Sequence, residues 1–347
     1  MRHLRHIILL LLLPLLSGCG KDPSLEVPGH PILFAPTVSV DSKASKPDNP
    51  VIQDGSKANI IGIRKVDDTS ASVFESNEIL EYDQTTDWTY SPLKKWETTG
   101  HYYFAGVFPS PSDPEDIQFI NNQNIRIVYK PANNYDMMLA RNDRDRSNGG
   151  GTEAVELLFK HTCSAVRFLF GATADDYVIS SFKLISLAQS AVLTVPIIPA
   201  GPDDIRDGWD SYVYHENLFE YPTHTPGETW PMPVREVDPG ATVNPDNYTP
   251  FGWYFMLPQT MQAASAVSFS VQKIVSYEQG QPVYGDPITT VLSITDRDGL
   301  PGADTWIPND VYNYYITISE KELYLTVKTT EWDDVDATTD DISFEPD

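Results

Sequence analysis

Apolar and polar positions alternate along most of this chain. Residues 32–40 form the first run with a period of two, and residues 58–66, 77–82, 102–108, 125–129 and 135–140 repeat the pattern between turns rich in Pro, Gly and Asn. Successive side chains of a strand point to opposite faces, so each run predicts a half-buried strand. The longest signal, residues 153–170, contains a slip. Val155, Leu157, Phe159, Cys163 and Ala165 hold one parity, whereas Val166, Phe168 and Phe170 hold the other. A slip of this kind predicts either a bulge near Ser164 or Ala165 or a strand that leaves one sheet for another. Residues 180–195, 251–257, 267–275 and 289–294 continue the β pattern, residues 312–318 and 323–327 read as a hairpin, and residues 342–344 make a last short run. No heptad or solenoid period is present.

Two polar stretches interrupt this pattern. Residues 41–56, rich in Lys, Ser, Pro and Asp, predict an exposed loop. Residues 142–151, NDRDRSNGGG, are the most polar part of the chain and mark the expected domain boundary. A length of 347 residues exceeds one average domain. The expected organisation is therefore a domain over residues 31–150 and another over residues 151–347. Aromatic and turn-forming residues, with Tyr 18, Phe 14, Pro 28 and Gly 20, agree with an all-β fold of β-sandwich type.

The first twenty residues, MRHLRHIILLLLLPLLSGCG, have a different character. A basic start with Arg2 and Arg5, an apolar run over residues 7–16 and small residues ending on a thiol predict a signal peptide over residues 1–18. The apolar run is too short to cross a bilayer as a helix. Leu16-Ser17-Gly18-Cys19 resembles the lipobox of bacterial lipoproteins, which implies a mature chain that begins at Cys19 and carries its lipid attachment there. More than one acyl chain gives the lasting anchoring that a single chain lacks. Residues 19–30 then form a polar tether. Gly20-Lys21-Asp22 resembles the surface-export signals of Bacteroidetes lipoproteins, so the expected location is the outward face of the outer membrane.

Charge and chemistry narrow the function. A formal net charge of −25 disfavours nucleic acid, because neutralising phosphates takes clustered Lys and Arg. With Cys19 lipidated, Cys163 is left alone, so the mature chain has no disulfide, and its apolar surroundings make it a small buried hydrophobe. The sequence has no HExxH, no Cys/His zinc spacing, no GxSxG and no phosphate-cradling Gly loop. His161 lies at the apolar parity of its strand and reads as a core histidine. Asp143, Asp145 and Ser147 alternate as in a calcium loop, but Asn148 stands at the turn glycine's place and Ala154 at that of the closing Glu. No cofactor, metal or catalytic residue is expected, and the reading is of a structural or binding protein rather than an enzyme.

Several stretches carry a family resemblance. ILFAPTVSVDSKAS (residues 32–45) and NIIGIRKV (residues 59–66) are followed by Trp96 and HYYFAGVFPS (residues 101–110). YDMMLA (residues 135–140) then precedes VELLFKHTCSAVRFLF (residues 155–170), with FMLPQTM (residues 255–261), NYYITIS (residues 313–319) and Trp332 further on. In this order they resemble the fimbrillin families of Bacteroidales, whose members build the shafts, tips and anchors of lipoprotein-derived pili. The resemblance implies two tandem transthyretin-like β-sandwich domains and polymerisation in which a terminal strand of one subunit completes the sheet of the next. It implies other fimbrial subunits as partners, the outer membrane through the N-terminal lipid, and a host or bacterial surface receptor. Shaft-forming members are cut after an Arg that follows the first strand. Here the expected loop offers only Lys43 and Lys46, and the nearest Arg is Arg64 inside a predicted strand. These three are the candidate processing positions, and the missing Arg favours an uncleaved anchor or accessory subunit. The alternative is a glycan-binding surface lipoprotein outside any pilus, with Trp209, Trp230 and Trp253 available to stack on sugar rings.

Overall fold

The computed structural model describes residues 29–38, 52–74, 78–120, 123–133, 135–146, 151–172, 175–198, 209–214, 217–220, 249–295, 304–318 and 323–331. The chain is all-β. Its first strands are β1 Phe34–Val38, β2 Lys57–Val66, β3 Thr69–Ser72, β4 Glu78–Asp83, β5 Asp87–Thr89, β6 His101–Phe108, β7 Ile117–Ile120, β8 Asn124–Tyr129 and β9 Met138–Asp145. There follow β10 Val155–His161, β11 Ser164–Ala172, β12 Tyr177–Ile185, β13 Ala188–Pro196, β14 Trp209–Tyr214, β15 Asn217–Glu220 and β16 Thr249–Met256. The last are β17 Gln259–Thr260, β18 Ala266–Glu278, β19 Gln281–Tyr284, β20 Ile288–Ser293, β21 Thr305–Trp306, β22 Asp310–Ile318 and β23 Leu323–Glu331.

Among the described residues, four larger sheets and the two-stranded β17–β21 sheet make up the body. The first has the order β1-β10-β9-β6-β2-β4-β5 with β3 on β2, and it curls until β1 touches β5. The second, β14-β13-β8-β7, lies against its outer face. In the second half of the chain, β16-β11-β22-β23 packs on β15-β12-β18, which carries β19 and β20 on β18. Central strands bury both faces. Along β2, Ala58 and Ile60 enter the core inside the curl, whereas Ile61 and Ile63 face the second sheet. A Cβ on Gly62 would sit 2.9 Å from the Phe104 ring, and one on Gly106 2.9 Å from Ile60 and from Phe159. Both glycines thus give room to the aromatic filling of the curl, where any added atom must displace a ring.

The parity slip in residues 153–170 marks a change of sheet, the second of the two outcomes expected. β10 pairs with β9 and β1, and after Thr162 and Cys163 the chain continues as β11 between β16 and β22. The run 180–195, which reads as one strand, divides in the same way. Its halves are β12, paired with β15 and β18, and β13, paired with β14 and β8, with Ser186 at φ 54 between them. β10 and the β13–β14 hairpin follow residue 150 yet bond to strands that precede it.

The start of one polar stretch is strand. Residues 142–145 continue β9 and pair with His101–Phe104 of β6, and the His101 imidazole lies 2.6 Å from the Asp143 carboxylate. Polarity here reflects a strand with one solvated side rather than an interruption of the sheet.

Candidate functional site at the first strand

β1 is an edge strand with an unusual partner arrangement. It runs parallel to β10, with Phe34 opposite Val155 and Val38 opposite Phe159. The Val155 N–H donates to the Leu33 carbonyl at 2.8 Å, which sets the alternation. Leu33, Ala35 and Thr37 therefore turn their backbone groups towards β10, and Phe34, Pro36 and Val38 turn theirs outward. Pro36 has no N–H to present on that outer row. The proline costs the β1–β10 ladder nothing and interrupts the edge that a further strand would use.

Ile32 and the inward side chains of β1 fill the curl of the first sheet. Ile32, Phe34 and Val38 are buried, and the Phe34 ring lies edge-on to Phe104 at 5.2 Å and tilted against Tyr90 at 5.8 Å. Burial of these three is worth roughly 5–9 kcal/mol on a scale of about 1.5–3 kcal/mol each. Just before β1 the Ile32 N–H donates to the Lys94 carbonyl, the Trp96 N–H donates to the His30 carbonyl, and the Tyr90 hydroxyl donates to the Ile32 carbonyl at 2.9 Å. Burial pushes the Tyr90 hydroxyl up to about 12, so it remains a donor at any physiological pH. Withdrawing β1 without a replacement would cost a sizeable part of the 5–15 kcal/mol that typically holds a domain together, so about that order is at stake in this slot.

The processing candidates fall differently. Cys19, Lys43 and Lys46 lie outside the described residues. Arg64 sits in β2, where its backbone pairs with Ala71 of β3 on one side and Tyr102 of β6 on the other. Its Nε donates to the Thr99 carbonyl at 2.8 Å, and its guanidinium lies 6.0 Å from the centre of the Tyr102 ring. A protease requires an extended, unpaired segment, and the Arg64–Lys65 peptide is not one. The side chains of Trp209, Trp230 and Trp253 are likewise outside the described residues.

Titratable groups concentrate instead where the chain changes sheet. His161 and Asp136, 1% and 4% exposed, meet at 2.7 Å through Nδ1 and Oδ2. The Thr162 hydroxyl donates to the Met137 carbonyl at 2.6 Å, and the Tyr129 hydroxyl lies 2.8 Å and 2.9 Å from the carbonyls of Tyr135 and Phe255. Cys163 is fully buried, and burial, with the nearby Asp136 carboxylate, pushes its thiol up to about 12. A nucleophile needs the thiolate and access, and this thiol has neither. The cluster fastens a junction between sheets.

Sequence comparison finds no matching family model and no matching curated protein. Solved structures do match. A fimbrial protein from Bacteroides vulgatus superposes with a TM-score of 0.58 at 13% identity, covering 86% of this chain and 99% of that one. This chain has a fimbrial-protein fold. A candidate cell adhesion protein from Bacteroides ovatus gives a TM-score of 0.51 at 12% identity, over 88% of this chain and 98% of the other. A third, from Parabacteroides distasonis and also a candidate cell adhesion protein, gives 0.50 at 8% identity with the same coverages. At such identities the likeness concerns the path of the backbone, and the fimbrial fold is carried here by different side chains.

Proposed function

We propose that this protein is a fimbrial surface lipoprotein, an anchor or accessory subunit that keeps its own β1, uncleaved, until a neighbour's strand displaces it at the β1 slot, and that serves adhesion. In this reading residues 1–18 are a signal peptide, Cys19 carries lipid in the outer membrane, and residues 19–30 are the tether. Two sandwich domains of transthyretin-like topology follow, divided in sequence near residue 150, with β10 and the β13–β14 hairpin lent back to the first. The partners are other fimbrial subunits and a surface receptor, and the role is structural rather than enzymatic.

The observation that carries this reading is β1 itself. It is a short strand next to the expected tether, it lies at a sheet edge, and its apolar side chains plug a core that any strand of the same pattern could fill. The outer row interrupted by Pro36 favours replacement of β1 over extension beyond it. The fimbrial fold supports the same reading. The absence of an Arg from residues 39–51, together with the paired backbone at Arg64, supports an uncleaved subunit.

N-terminal sequencing of material taken from cell surfaces tests the proposal. Protein beginning at Cys19 and running as a single band is the expected result. Chains beginning near Ala44, Pro47 or Lys65 and running as a ladder would make this a cleaved shaft subunit. The anchor has its own test: Cys19→Ala should abolish acyl labelling and release the protein from membranes, and retention after a high-salt wash would overturn the lipid assignment.

A further inference from the structure

We infer that Asn142 and Arg144 form a side-chain clip that keeps β10 in place as an acceptor edge when β1 is exchanged, an inference that rests on the strand-exchange reading above. On the side away from β1, β10 lies along β9 but shares only a short backbone ladder with it. Its described ladder with β9 consists of two pairs, Lys160 with Leu139 and His161 with Met138. Nearer its start, β9 remains fully paired with β6 but no longer with β10. Since Val155, Leu157 and Phe159 turn their backbone groups to β1, Ala154, Glu156 and Leu158 turn theirs to β9. The carbonyls of Ala154 and Glu156 are received there by side chains.

The Asn142 amide donates from Nδ2 to the Glu156 carbonyl. Arg144 donates from Nη2 to the Ala154 carbonyl at 3.4 Å and from Nη1 to Asn142 Oδ1 at 3.4 Å, which fixes the direction of the Asn142 amide. The two residues stand two apart on β9 and so reach across the same gap. With β1 in place the clip is one support among several. With β1 removed, the side chains of Val155, Leu157 and Phe159 still point into the curl, and the clip still holds the carbonyls of Ala154 and Glu156. The clip then holds the row of groups that must be straight and in register to receive a new strand. Asn142 and Arg144 are positioning residues: they touch the acceptor strand and never the incoming one.

The test uses the full chain with one engineered protease sequence inside residues 39–51. After cutting, a fluorescent peptide of residues 29–38 replaces the nicked strand, and anisotropy reads its affinity. Asn142→Asp keeps the shape but loses the donor, and it should weaken peptide capture about tenfold or more. Asn142→Gln keeps a donor and should restore most of the affinity. Arg144→Met gives an independent second variant with the same expected loss. Uncut variants should melt within a few degrees of the parent, since β1 still braces β10. Capture equal to the parent's in both Asn142→Asp and Arg144→Met would overturn the clip. Failure of the cut parent itself to take up the peptide would overturn strand exchange, and the clip with it.

Discussion

β10 and β11 are consecutive strands of one apolar run, and they are held in opposite ways. β11 lies inside its sheet, paired along its length with β22 and over most of it with β16, and its Phe168 and Phe170 sit in the core between that sheet and the one built on β12 and β18. β10 depends on β1 along five residues and reaches β9 directly through two. The buried cluster of Asp136, His161, Thr162 and Cys163 separates these regimes. A permanently paired strand contributes to the stability of the whole fold, whereas a strand with a removable neighbour places that contribution where another molecule can reach it.

The largest effect that would sharpen this contrast is expected in β11. Phe168→Ala removes a fully buried ring stacked 5.0 Å from Tyr314 and should cost about 3–5 kcal/mol, read by chemical denaturation as a loss shared by the whole chain. Phe34→Ala in β1 should cost somewhat less, about 3 kcal/mol, and act locally. Hydrogen exchange should quicken at the amides of Leu157 and Phe159 while those of Val166 and Phe168 stay protected. Equal quickening in β11 would erase the distinction between the two strands.

The junction gives a third prediction. The folded Cys163 thiol titrates near 12, above its ordinary value of 9.0, because burial disfavours the thiolate. The unfolded chain therefore loses this proton first as pH rises. The associated stability is complete below about pH 9 and is lost as pH climbs towards 12, with Tyr90 acting in the same direction between about 10 and 12. In a Cys19→Ser chain, iodoacetamide at pH 8 should label Cys163 only in denaturant. Labelling of the native chain would mean that the junction opens readily. The smallest effect on stability is expected from Pro36→Val, under about 1 kcal/mol, because the lost ring is replaced by another buried apolar side chain. It restores an outward N–H, however, and light scattering should show association that rises with concentration. An unchanged monomer would show that Pro36 does not guard the edge.

Much of the strand content was legible because alternation survives in half-buried strands. The change of sheet near Cys163 could be seen because it reverses parity. The one at Ser186 reverses parity as well, from Phe182 and Leu184 to Ala191, Leu193 and Val195, but Ile185, Leu187 and Ala188 between them are apolar on both parities and blur the slip. Residues 142–145 misled for the opposite reason, their polarity hiding a strand. The clip they form was beyond reach altogether: Asn142 and Arg144 become partners of Glu156 and Ala154 only through the register of β9 against β10, which no local pattern contains. The β1 slot was legible as a strand, but the outward turn of Pro36 follows from a parallel pairing with residues more than a hundred positions away.

That parallel pairing also decides how the molecule would bear tension. A pull entering at residue 29 draws β1 backward along its own axis, while a load leaving β10 through His161 draws that strand forward. The five residue pairs between them are then stressed lengthwise and together, not opened one after another from an end. Rupture would require them all to fail at once. A competing strand faces no such demand, since it can take over one pair at a time, so a joint built in this way would resist dragging and still yield to substitution.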